Sequence, residues 1–140
     1  MDPRTKKIKT LEVALYVAIV GTLIVLFMRP TLRIFTKSRE TVILENLGII
    51  RSALALYYTN NQRFPTDDLA CLTADAQYLE GIPTLKTHYT HSHSNHVIAS
   101  TVIKDFGRWY YDNDPRSPAW GSIHIGCTHK DSKRTVWSTY

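Results

Sequence analysis

The sequence predicts an α+β fold: a long N-terminal helix, transmembrane and then amphipathic, packed on a small antiparallel β-sheet. Three observations predict it. Residues 11–28, LEVALYVAIVGTLIVLFM, are an apolar run whose single charge is Glu12. Residues 31–58 repeat apolar side chains at helical spacing. From residue 97 onward, short apolar and aromatic groups alternate with turns, which is the pattern of short strands.

Residues 1–9, MDPRTKKIK, are polar and basic and read as a leader or cytoplasmic segment. The apolar run follows, within a transmembrane helix assigned to residues 10–30. Eighteen helical residues rise about 27 Å, close to a hydrocarbon core of about 30 Å. Lys9 and Arg29 stand at its ends, where long basic side chains snorkel. A cleaved signal peptide is a poorer reading, because Phe27-Met28-Arg29-Pro30 lacks a small-x-small exit. A buried core helix is the remaining alternative for a run of this length. Glu12 is either a functional carboxylate at the membrane boundary or a solvated first-turn acid that complements the helix dipole.

Pro30 falls where the helix would kink rather than stop, because helical periodicity resumes at once. Ile43, Leu47, Ile50, Leu54 and Tyr57 recur in steps of four and three, and Arg39, Glu40, Glu45 and Arg51 fall largely on other faces. One helix from about residue 10 to about residue 60 is expected. Asn60-Asn61 and Pro65 end it. Two helices divided at Pro30 are the alternative. Pro65-Thr66-Asp67-Asp68 reads as the cap of a short helix through Leu72, and Thr73 as the cap of another short turn. Val97-Ile98, Val102-Ile103, Arg108–Tyr111, Ile123–Ile125 and Thr135–Trp137 supply the strands, three or four in an antiparallel sheet.

The 140 residues carry a net charge of +5. Residues 1–60 hold nine Lys/Arg and four Asp/Glu, whereas 61–140 hold eight of each. The basic excess therefore lies along the helix. The balanced remainder argues against a nucleic-acid-binding face. Basic residues flank the apolar run on both sides, so charge alone does not set an orientation. There is no Gly-rich phosphate loop, nucleophile elbow or HExxH pair, so the chain does not read as an enzyme.

Cys71 and Cys127 either pair, in an oxidising compartment, or are two unrelated thiols. A bridge between them would contribute about 4 kcal/mol. Residues 84–96 form a polar loop with His88, His91, His93 and His96, a candidate transition-metal set without standard spacing.

Thr10-Leu11-Glu12, Gly21, Pro30, the segment Ile50-Arg51-Ser52-Ala53 to Tyr57-Tyr58, Arg63-Phe64-Pro65-Thr66, Tyr78–Pro83, Gly107–Tyr111, Cys127–Asp131 and Trp137–Tyr140 occur in an order that resembles the type IV pilins and type II secretion pseudopilins, the major pseudopilins above all. The resemblance covers nearly the whole chain from about residue 8. It departs at the processing junction, which falls between Lys7 and Ile8. The family has glycine before this cut, and no glycine precedes Gly21 here.

The resemblance implies a pilin-like extracytoplasmic domain over 31–140 and a single-pass protein of the bacterial inner membrane. It implies self-association through the N-terminal helix into a helical filament. Its partners would be other pilin-like subunits, an inner-membrane assembly platform and membrane lipid. Glu12 would neutralise a neighbouring subunit's N-terminal amine, or Lys7 or Lys9 if the leader stays uncut. Some pseudopilins carry calcium in a C-terminal loop, and Asp112, Asp114 and Asp131 are the candidate ligands here. The rival expectation is a monomeric, signal-anchored extracytoplasmic domain that binds metal through its histidine-rich loop.

Overall fold

The computed structural model describes the backbone of residues 3–87 and 90–140, and the side chains of that set except 3–11 and 27–36. The chain forms two compact units, Met1–Lys37 and Ser38–Tyr140. This division lies beyond the boundary at residues 30 and 31 that the sequence predicts.

Helix α1 is Pro3–Asn61 and is assigned without interruption through Pro30. In the first unit its large apolar side chains between Val13 and Leu26 are 48–67 % exposed. The predicted transmembrane helix requires correction. Among the described residues, no helix is long and apolar enough to cross a membrane.

The second unit begins with the rest of α1. Ile43, Leu47, Ile50 and Leu54 are all buried, as their spacing predicts, with Ala53 beside them. Amide side chains close the helix end: Asn61 Nδ2 donates to the Tyr57 carbonyl and Gln62 Nε2 to that of Thr59, both at 2.9 Å. The Thr59 carbonyl lies in the last turn, where the helix supplies no i+4 donor, so the Gln62 amide takes that place. The next helix, α2, is the single turn Ala70–Thr73, later than the predicted start at Pro65. Asp67 still acts as the acceptor expected of a cap, taking the amides of Leu69 at 3.1 Å and Cys71 at 2.9 Å. Thr73 makes no side-chain cap to the 3-10 turn Ala74–Ala76; its hydroxyl donates back to the Ala70 carbonyl.

Three strands follow: β1 (Val97–Ala99), β2 (Arg108–Tyr111) and β3 (Ile123–Gly126), in the order β1-β2-β3. β2 and β3 are antiparallel, but β1 and β2 are parallel. The predicted all-antiparallel sheet is thus a mixed one. The chain between Ala99 and Arg108 crosses back instead of closing a hairpin. Val102 and Ile103, expected in a strand, lie exposed in that crossover. Thr135–Trp137 makes only a bridge between Lys130 and Val136, followed by a 3-10 turn at Trp137–Thr139. Asp131 Oδ1 accepts the amides of Lys133 at 2.9 Å and Thr135 at 2.8 Å, which closes this segment as a loop.

One face of the sheet, Trp109, Tyr111, Ile123 and Ile125, joins the α1 residues in the core with Leu69, Leu72, Leu85 and Trp137. Tyr110 covers the other face, packed on Gly126, where an added Cβ would meet the ring at 2.3 Å. Buried polar groups tie the loops to this frame. Tyr111 Oη donates to the Pro65 carbonyl at 2.7 Å, and Trp109 Nε1 to that of Pro83 at 2.8 Å. Arg51 on α1 donates to the carbonyls of Ile123, at 3.2 Å, and of the terminal Tyr140.

Candidate functional site

β3 ends at Gly126, and Cys127-Thr128-His129 leave it through a tight turn in which Cys127 N donates to the Ile125 carbonyl at 2.9 Å. The backbone is fixed by the C-terminal turn: Ser138 N donates to the Cys127 carbonyl at 3.0 Å and Trp137 N to that of His129 at 3.1 Å. Cys127 is fully buried. Its Sγ lies 3.5 Å from His129 Nδ1.

Two loops bring the other members. His91, from the loop before β1, places Nε2 3.3 Å from His129 Nδ1, with the rings edge to face at 73°. Asp105, in the β1–β2 crossover, lies 3.0 Å from His91 Nε2 through Oδ1 and 3.8 Å from His129 Nδ1 through Oδ2. One ligating atom from each of His91, Asp105, Cys127 and His129 lies within 4.8 Å of the rest.

The surroundings hold these groups in place. Thr128 donates its amide to Asp105 Oδ1 at 2.9 Å and its hydroxyl to Oδ2 at 2.8 Å. Burial alone would raise the Asp105 carboxyl. The Thr128 hydrogen bonds and the charge on His91 and His129 outweigh it, and the carboxyl is held below its ordinary value. Gly107 lies against His91. Its φ is +64°, and an added Cβ would stand 2.4 Å from the His91 Cβ. A side chain there would meet both backbone strain and a clash.

The arrangement suits a cation better than a proton relay. A Cys–His–acid relay needs the acid on one imidazole nitrogen and the sulfur on the other. Here Cys127 and Asp105 both approach Nδ1 of His129.

The candidates read from the sequence distribute as follows. Of the four loop histidines, His91 joins the cluster, His93 and His96 are exposed outside it, and His88 lies outside the described residues. No disulfide joins Cys71 and Cys127 in this structure. Cys71 Sγ lies instead 3.4 Å from Asp67 Oδ1, and burial together with that carboxylate pushes its thiol up to about 11. Asp112, Asp114 and Asp131 are not brought together; each serves its own turn. Asp112 Oδ1 accepts the Asp114 amide at 3.1 Å and Asp114 Oδ1 the Arg116 amide at 3.0 Å. Asp131 Oδ2 accepts the Tyr140 hydroxyl. Glu12 is exposed on α1, while the side chains of Lys7 and Ile8 lie outside those described.

Sequence reasoning missed Asp105, and it weighed Cys127 for a disulfide. The available signal was the Cys-x-His spacing just after a strand.

Comparison with known protein families, with curated proteins and with solved structures returns no match for this chain.

Proposed function

We propose that this chain is a pilin-like subunit that associates with copies of itself through the N-terminal part of α1, building an open, head-to-tail filament. The observation that carries this reading is the exposure of every large apolar side chain from Val13 to Leu26, at 48–67 %. An apolar surface of this size, exposed around the helix, marks an interaction surface. Burying one Val, Leu or Ile contributes about 1.5–3 kcal/mol, so a few such contacts per subunit suffice for association. A contact between different faces of identical chains propagates as a fibre when its rotation does not close a ring. Glu12, at the start of this surface, is its one charged side chain and would fix the stagger between neighbours. The order of motifs along the chain supports the same reading.

The test is in-cell crosslinking. A photoreactive residue at Val17 or Ile24 should produce a ladder at multiples of the 16.0 kDa chain. Glu12→Ala should shorten the ladder. A crosslinked product with one unrelated protein, or monomer alone, would overturn the assembly reading and favour a single tethered binding domain.

A further inference from the structure

We propose that His91 Nε2, His129 Nδ1, Cys127 Sγ and an Asp105 carboxylate oxygen form a closed, four-coordinate site for a zinc-class divalent ion. The inference goes beyond the assembly reading and stands without it.

Ligand spacing carries the argument. Zinc binds nitrogen and oxygen at about 2.0–2.2 Å and thiolate at about 2.3 Å. A tetrahedron with those radii has nitrogen–nitrogen and nitrogen–oxygen edges of about 3.3 Å and nitrogen–sulfur edges of about 3.6 Å. The corresponding separations here are 3.3 Å between the imidazole nitrogens, 3.0 Å from His91 Nε2 to Asp105 Oδ1, 3.8 Å from His129 Nδ1 to Asp105 Oδ2, and 3.5 Å from His129 to the sulfur, with one ligand atom from each of the four residues within 4.8 Å of the others. Two loops far apart in sequence and one strand end converge on the dimensions of a coordination shell.

Ligand chemistry narrows the ion. Calcium takes six to eight oxygens, and this set offers a single carboxylate. One thiolate, two imidazoles and one carboxylate suit a borderline tetrahedral ion. Thiolate and carboxylate together carry two negative charges, which balance a divalent cation. That balance permits an ion beside the fully buried Cys127.

The supporting shell is in place. Thr128 orients Asp105 with two hydrogen bonds, and ligating carboxylates are usually held this way. Gly107 leaves room for His91. Entry is available from an open groove lined by Ser38, Arg39, Asn46, Lys86, His91 and His93. The ion would join the loop before β1, the β1–β2 crossover and the C-terminal segment, none of which is secured by a disulfide. Its role is structural, because all four positions are filled by protein.

The test uses the full chain, purified under reducing conditions and dispersed in mild detergent. Zinc titration followed by elemental analysis should give one equivalent per chain. Cobalt(II) in its place should show intense tetrahedral ligand-field bands and a thiolate-to-metal charge-transfer band. Cys127→Ser should abolish the charge-transfer band. His129→Gln should weaken binding by at least the roughly 10- to 100-fold that losing an outer partner costs. His93→Gln and His96→Gln should leave both readouts unchanged. A cobalt spectrum without charge transfer overturns the proposal on the unaltered protein, even if Cys127→Ser does not fold. Binding that survives Cys127→Ser and disappears with His93→Gln and His96→Gln also overturns it, and assigns the metal to the loop histidines alone.

Discussion

His124 shows what position does to a single residue. It lies on β3 opposite Tyr110, with Nδ1 buried and without a hydrogen-bond partner. Burial lowers its proton affinity below the ordinary 6.5; the Arg51 charge lowers it further and Asp112 opposes both. The folded chain thus keeps His124 neutral while the unfolded chain takes up a proton near 6.5. The associated stability is complete above that value and declines as pH falls through it toward the folded value. Urea unfolding at about pH 7.5 and about pH 5.5 should give a lower midpoint at the acid value, and His124→Gln should flatten the difference. An unchanged slope in the variant would place the titration elsewhere.

At the scale of elements, α1 is two different surfaces on one helix. From residue 38 its buried stripe is the floor on which the sheet rests. Ile50 is fully buried there, whereas Ile49, one position along, is 44 % exposed. One step around a helix moves a side chain about 100°, enough to leave the stripe. Ile50→Ala should cost about 2–5 kcal/mol, and Ile49→Ala under about 1 kcal/mol, in denaturant unfolding of the full chain. Equal costs would mean that the helix packs in another register. The sheet shows the same dependence on context. β1 pairs in parallel with β2 because the crossover between them folds back around Asp105 instead of making a hairpin. The same crossover delivers the carboxylate to the cluster.

For the whole molecule, the division at Lys37 has a consequence for folding. Among the described residues, the core of the second unit draws on positions from Ile43 onward. A chain of about a hundred residues is long enough to bury a core of its own. Residues 38–140 expressed alone should unfold cooperatively and retain the near-ultraviolet dichroism of Trp109 and Trp137. They should also lose the self-association attributed to Val13–Leu26. Loss of the aromatic signal would show that the first unit is required for the fold.

The buried face of α1 was legible because its periodicity is local: a 3.6-residue repeat declares which side chains share a side before any partner is known. The same holds for the helix end at Asn61, for β2 from its aromatic residues and for β3 from its alternation. The transmembrane expectation came from the same local apolarity, but among the described residues no helix is long and apolar enough to cross a membrane. Strand direction was not legible, because parallel and antiparallel pairing differ in how a connection travels through space. Nor was the cluster. His91, Asp105 and Cys127 stand 14 and 22 residues apart, and His91 is one of four histidines in its loop, so spacing did not single it out. The sequence by itself determined the helix, its inner stripe and two of the three strands. The tertiary structure alone decided that a crossover and a histidine loop meet the end of β3, because convergence of distant segments is set by packing and not by local pattern.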